Sequence, residues 1–135
     1  MTVKATAVTA IPMLQGLRVL DLTRNLPGPF ATRMLADLGA EIVKVEPPEG
    51  DPARALGSLF EALNRGKDCR KVDFKTEDGR ATLREWAREA DVVVDSFRPG
   101  VLDAMGLGHA ALSAVQPRIV LCSITGYGQT GEWAQ

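Results

Sequence analysis

The chain has 135 residues, of which 45% are hydrophobic, and this is enough apolar material for one domain with a buried core. Sixteen basic against seventeen acidic residues give a formal charge of −1, which argues against a general electrostatic surface for nucleic acid or membrane. Cys69 and Cys122 fit no redox or zinc-ligand spacing, and no apolar run is long enough to span a bilayer. We therefore expect a soluble cytoplasmic protein with reduced thiols and no metal site.

The first regular unit is a strand, a helix and a second strand, which follow a flexible N-terminal arm predicted over residues 1–13. Residues 17–22 (LRVLDL) are typical of a strand buried in a parallel sheet, and the turn TRNLPGP follows them. Pro29 suits the first turn of a helix, and residues 41–46 (EIVKVE) alternate like a second strand. This β–α–β unit leaves backbone donors free at the start of its helix.

The rest of the chain continues to alternate helices with strands. Periodicity predicts a helix over 53–64 despite Gly57. A brief strand is predicted over 70–74, where the low apolar content indicates an edge or a partly exposed position, and a helix capped by Thr76 follows. The elements predicted after these are a buried strand over 91–95, short helices over 101–105 and 109–115, a strand over 118–124 and a glycine-rich loop over 125–131. This order predicts an α/β fold, with a mainly parallel sheet of about five strands flanked by helices. Its strands would place their carboxyl ends at one edge, where such sheets bind ligands.

Cations and rigid side chains fall near that edge, namely Lys44, Lys67, Lys75, Phe97 and Arg98. Because basic groups hold phosphates and an aromatic ring or a proline can cover a purine, their convergence indicates a phosphate-bearing ligand with an aromatic base. Each one also has a simpler explanation, a solvated side chain for Lys or Arg and a core position for Phe97. The first turn lacks G-x-G-x-x-G, so an NAD- or FAD-dependent oxidoreductase with Glu46 as ribose ligand is a weak alternative.

Longer motifs extend this interpretation. They are LQGLRVLDLT followed by GPF, LADLGAEIVKVEPPEGDPAR, NRGK with VDFK, ADVVVDSFRPGVLDAMGLG and PRIVLCSITGYGQTG. In content, order and spacing, the sequence from Leu14 onward resembles the class III coenzyme A transferases, the family of formyl-CoA transferase, carnitine-CoA transferase and α-methylacyl-CoA racemase. The resemblance implies that residues 14–135 are the N-terminal part of a Rossmann-like large domain that binds CoA at its carboxyl edge.

The resemblance also implies CoA contacts, position by position. These are Leu26, Pro27, Pro47, Val72, Asp73, Lys75, Ser96, Phe97 and Arg98. The backbone at the first two would line the CoA cleft, Lys75 would bind the ribose phosphate, and the last three would lie beside the pantetheine and pyrophosphate. Pro47 departs from the family, where relatives often have an Arg against the adenine, and Ala104 stands where some transferases have a basic contact.

The catalytic group of the family is expected downstream of Gln135, the last residue of the sequence, and no catalytic residue is assigned within it. In the transferases an Asp beyond the TGYGQTG loop attacks the acyl-CoA thioester. His109, the only histidine, is more simply a residue at a helix start. The resemblance implies a homodimeric parent enzyme that moves CoA to a carboxylic acid without a tightly bound cofactor, and a chain that is inactive alone. A racemase of the same family and a non-catalytic CoA-binding or interaction module are the alternatives.

Overall fold

The computed structural model describes residues 12–134. Residues 1–11 of the predicted arm therefore lie outside the described residues. The described strands are β1 (Arg18–Leu22), β2 (Glu41–Glu46), β3 (Asp68–Lys71), β4 (Val92–Asp95) and β5 (Val120–Ser123). The described α-helices are α1 (Pro27–Asp37), α2 (Ser58–Asn64), α3 (Glu77–Ala87), α4 (Val101–Ala104) and α5 (His109–Val115). Two short 3-10 helices, Pro12–Leu14 and Pro52–Leu56, complete the regular structure. No helix in this part of the chain has the length and apolar character needed to cross a membrane.

The five strands form one parallel sheet in the order β3-β2-β1-β4-β5. The prediction of an α/β fold with a mainly parallel sheet is therefore confirmed. β1 lies in the centre, and the chain adds β2 and β3 on one side of it before crossing to β4 and β5 on the other. The strand order thus reverses between β1 and β4, and in sheets of this type the ligand crevice opens at that point of the carboxyl edge.

Apolar side chains cover the sheet on both faces. On one face Leu20 of β1 packs in a cluster with Leu83 of α3 and Leu112 of α5. On the other face Val19 of β1 and Ile42 of β2 form a smaller cluster. Successive residues of a strand point to opposite faces, so a strand buried on both sides reads as a continuous apolar run. This explains why β1 and β4 are recognisable in the sequence.

Two predicted elements differ most from the structure, and β5 is shorter at both ends than the strand predicted over 118–124. The helix predicted over 53–64 is divided at Gly57, whose φ of +48° separates the 3-10 helix from α2. Glycine adopts such a backbone without steric cost, which makes it a natural break between two short helices. The strand predicted over 70–74 is instead Asp68–Lys71, and its four side chains are all exposed at the sheet edge. Without a buried face, its sequence has no alternation to mark the register.

Candidate functional site

Three loops converge at the carboxyl edge beside the strand-order reversal. The Arg24 N–H, two residues after the end of β1, donates to Ser96 Oγ after β4 at 3.2 Å. The Arg24 guanidinium carbon lies 5.4 Å from the centroid of the Phe97 ring, within range of a cation–π contact. Phe97 in turn meets Phe74, from the loop after β3, edge to face at 5.9 Å. The loops after β1, β3 and β4 therefore share one cluster.

Asp95 at the end of β4 fixes the Ser96–Phe97 segment. One carboxylate oxygen of Asp95 accepts the Phe97 N–H at 2.9 Å, and the other accepts the Ser123 hydroxyl at the end of β5. Asp95 is only 2% exposed, so both acceptor sites are occupied inside the protein. A buried carboxylate with these bonds is a structural anchor that holds the Phe97 backbone in place.

A buried ion pair holds the loop after β1. Lys44 Nζ donates to Thr23 O at 2.8 Å and pairs with Asp51 Oδ2 at 2.9 Å, and neither side chain is appreciably exposed. The other oxygen of Asp51 accepts the Asn25 N–H at 3.2 Å. Asn25 has a φ of +65°, a left-handed backbone that asparagine tolerates better than most residues. The loop backbone is thus held on both sides of Arg24.

Lys67 forms a second buried clamp. Its ammonium lies among Asp21 Oδ2 at 3.0 Å, Pro29 O at 2.9 Å, Thr32 Oγ1 at 2.8 Å and Asn64 Oδ1 at 3.0 Å. Burial lowers the pKa of Lys67 below its ordinary value, and the charge and hydrogen bond of Asp21 oppose that shift. These contacts tie the end of β1 to the first turn of α1 and the last turn of α2.

The sequence-based suggestion that Lys44 and Lys67 help to hold a phosphate is wrong. Both ammonium groups are fully buried, each in an internal ion pair with an aspartate. Their positions in the sequence correctly predict the edge at which they lie. These positions do not show which acids pair with the two lysines in the fold. They act on a ligand only through the loops that they position.

Glu46 is likewise occupied inside the protein. It accepts two hydrogen bonds of 2.6 Å from the Arg54 guanidinium and a third of 2.8 Å from the Asp51 N–H. Burial alone would raise the pKa of Glu46, but the bonds from Arg54 and Asp51, with the charges of Arg54 and Lys44, together hold it below its ordinary value. Glu46 is therefore not available as the ribose ligand that a nicotinamide or flavin dinucleotide would need.

Basic side chains without an acid partner gather at the carboxyl edge. Ten of the fifteen Lys and Arg residues in the described part of the chain have a carboxylate within 4.0 Å. The other five are Arg24, Lys71, Lys75, Arg98 and Arg118. Four of these end or follow β1, β3 and β4 at the carboxyl edge, whereas Arg118 precedes β5 at the opposite edge. The edge therefore offers exposed positive charge to an anionic ligand.

The nine predicted contact residues all follow strands at this edge, eight of them in loops and Pro27 as the first residue of α1. Leu26, Pro27, Lys75 and Arg98 are exposed, while Pro47, Asp73, Ser96 and Phe97 are partly buried. Val72 is a core residue whose N–H bonds to Glu46 O, so a ligand contact from it is limited to its carbonyl. The structure brings Ser96 and Phe97 together with Arg24 and Phe74, which the sequence interpretation omitted. The position of Arg24, in the loop that follows the central strand, is the signal that could have found it.

The structure does not test the catalytic aspartate that the family resemblance implies. Its expected position is downstream of Gln135, and Gln135 itself already lies outside the described residues, which end at Ala134. The expectation that the chain holds no catalytic residue therefore stays a prediction. His109, the alternative considered from the sequence, is the first residue of α5, as its simpler interpretation predicts.

Two pockets lie on the described surface near the sheet ends. A pocket of about 350 Å³ opens at the carboxyl ends of β4 and β5, lined in part by Arg98, His109 and Ser123. A groove of about 400 Å³ lies by the amino ends of β1, β2 and β3. The charged side chains of that groove largely pair with one another, as Arg18 does with Glu89 at 3.0 Å. We therefore place the candidate site at the carboxyl edge.

Comparison with known proteins shows the family of the chain. The model of CoA-transferase family III matches residues 14–135. The chain is 43% identical to succinate–glutarate CoA-transferase of Agrobacterium fabrum, over 91% of this chain and 34% of that protein. It is 46% identical to succinyl-CoA:glutarate CoA-transferase of Homo sapiens, over 93% of this chain and 31% of that protein.

The crystal structure of a CaiB/BaiF family protein from Brucella suis superposes with a TM-score of 0.86 at 44% identity, covering 90% of this chain and 35% of that one. The chain thus spans about a third of the length of the relatives that it matches. The resemblance drawn from the motifs is confirmed over the same residues. The chain belongs to CoA-transferase family III.

Proposed function

We propose that this chain is the CoA-binding N-terminal portion of an acyl-CoA:carboxylate CoA-transferase. The observation that carries the proposal is the set of unpaired cations at the carboxyl edge of a family III chain, at the end of β3 and in the loops after β3 and β4. Coenzyme A carries a diphosphate and a ribose phosphate, and charge-assisted hydrogen bonds from Arg and Lys are the usual means of binding such groups.

The proposed contacts divide the CoA molecule among the loops. Lys75 binds the ribose phosphate, Arg98 the pyrophosphate, and Ser96 and Phe97 lie beside the pantetheine. The remaining contacts are the backbone at Leu26, Pro27, Val72 and Asp73 and the ring of Pro47 against the adenine. The anchored Ser96–Phe97 segment and the edge-to-face Phe74 ring favour this division, because they give the loops after β3 and β4 a fixed relative position.

The proposed reaction passes through covalent intermediates on an aspartate downstream of Gln135. Its carboxylate attacks the acyl-CoA thioester, forms a mixed anhydride and releases the CoA thiolate. The thiolate then attacks the aspartyl carbonyl of the anhydride, which gives an aspartyl-CoA thioester and the free acid. The acceptor carboxylate then attacks the aspartyl-CoA thioester, which forms a second mixed anhydride and releases the CoA thiolate. The thiolate attacks the acceptor carbonyl of this anhydride, which gives the new acyl-CoA and the free aspartate. The residues of this chain would retain CoA while its thiolate leaves and returns, which keeps the second attack effectively intramolecular.

We take the acyl group and the acceptor to be dicarboxylic, following the succinate and glutarate in the names of the two relatives. CoA is then a substrate, with no tightly bound cofactor, and the complete enzyme is a homodimer.

The test is to incubate the full-length protein with succinyl-CoA and glutarate and to follow both thioesters by mass spectrometry. We expect glutaryl-CoA to form in step with the loss of succinyl-CoA. Tight CoA binding without exchange for a panel of acyl-CoA donors would support the non-catalytic module.

A further inference from the structure

Arg24 occupies a distinctive place among the unpaired cations. It follows β1, the central strand, at the crevice where the strand order reverses, whereas Lys71 and Lys75 belong to the edge strand β3 and its loop. Its side chain is exposed, has no carboxylate within 4.0 Å among the described residues, and lies over the Phe97 ring at 5.4 Å. A cation at the mouth of the ligand crevice is placed to meet an anionic group of the bound substrate.

The backbone around Arg24 is fixed by three side chains from other segments. Lys44 binds Thr23 O, Ser96 Oγ accepts the Arg24 N–H, and Asp51 accepts the Asn25 N–H. The ring contact with Phe97 further restricts the guanidinium. A group that is already ordered loses little conformational entropy when it binds a ligand, and the planar guanidinium matches the two oxygens of a carboxylate.

We propose that Arg24 binds the free carboxylate of a dicarboxylic substrate and thereby selects dicarboxylic over monocarboxylic acids, an inference that rests on the proposed transferase function. When one carboxyl group of such an acid reacts, the other stays charged, and a charge that enters a crevice must be paired. A site built around that pair discriminates against an acid that leaves the guanidinium unpartnered. A phosphate of CoA offers the same oxygen geometry, so the experiment includes a separate arm for it.

The experiment compares Arg24→Met and Arg24→Lys with Arg118→Met in the full-length protein. Arg118 is the matched control, an exposed and unpaired arginine at the opposite edge of the sheet. Transfer from succinyl-CoA is measured to glutarate and to valerate, which have the same number of carbons and differ by one carboxylate. CoA and dephospho-CoA affinities are measured by calorimetry.

For Arg24→Met we expect kcat/KM for glutarate to fall about 10- to 100-fold, mainly through KM, while that for valerate is unchanged. Arg24→Lys should retain part of the preference, and Arg118→Met all of it. An equal loss for the two acids would overturn the proposal. A weaker affinity of Arg24→Met for CoA would also overturn it, and would indicate the ribose phosphate as the partner if dephospho-CoA affinity is unchanged and the diphosphate if both affinities fall. A wild-type protein that exchanges no CoA would instead refute the transferase function, so the two failures are distinguishable.

Discussion

Lys67 Nζ lies 3.0 Å from Asp21 Oδ2, and neither side chain is exposed to solvent. The same ammonium contacts Pro29 O, so a residue just before the edge strand holds both the end of the central strand and the first turn of α1. The contacts of Lys67 therefore lie on both sides of the loop between β1 and α1. Its conformation, and with it the proposed CoA cleft, therefore depends on the buried pair.

Replacing Lys67 with methionine should lower the free energy of unfolding by about 3–5 kcal/mol, because Asp21 is left as a buried and uncompensated charge. Arg65→Met is the matched control, since the Arg65 side chain is 51% exposed in its pair with Asp37 and a surface pair contributes at most about 1 kcal/mol. Urea unfolding measures both values. Similar small losses in the two variants would show that the buried clamp contributes no more than a surface contact.

Glu46 should make stability depend on pH in the acid range. Since its folded pKa lies below its ordinary value of 4.5, its stabilising contribution is present above that value and is lost as the pH falls through the folded pKa. We expect urea unfolding between about pH 6 and pH 3 to show this loss in the wild type and a shallower dependence in Glu46→Gln. An unchanged slope in the variant would contradict the role given to the Glu46–Arg54 pair.

Gly28 allows α1 to begin directly against the end of β1. A Cβ at this position would lie 2.2 Å from Cβ of Thr23, a residue that is itself only 1% exposed. Gly28→Ala should therefore destabilise the protein by about 1–3 kcal/mol, although alanine is the better helix former. Gly126→Ala is the control, because a Cβ there meets nothing within 4 Å. A higher melting temperature for Gly28→Ala would show that the contact relaxes without cost.

The sequence predicts the buried elements well. β2 and α5 have the bounds that their periodicity predicts, and the Thr76 cap is confirmed by the bond from the Gly79 N–H to its hydroxyl. Alternation of apolar residues in a strand, and their recurrence in a helix, follow directly from which side faces the core. The edge strand β3 has no buried side, so its start was predicted two residues too late and its end three residues too late.

The pairing of charges could not be predicted in the same way. Lys44 and Asp51 are seven positions apart, and Lys67 and Asp21 are forty-six, so nothing in the local pattern links either pair. A lysine at a strand end has the same sequence signature whether it is solvated, buried in an ion pair or bound to a ligand. Only the fold shows that Lys44 and Lys67 are internal and that Arg24 is not.

The most direct test of the proposed CoA site is calorimetric titration of the full-length protein with free CoA. Lys75→Ala and Arg98→Ala should each weaken binding about 10-fold or more, through the loss of a charge-assisted hydrogen bond to phosphate, while Arg118→Ala leaves the affinity unchanged and NAD does not bind. Unaltered CoA affinity in both edge variants, or equal binding of NAD, would contradict a CoA site built on the carboxyl edge of this sheet.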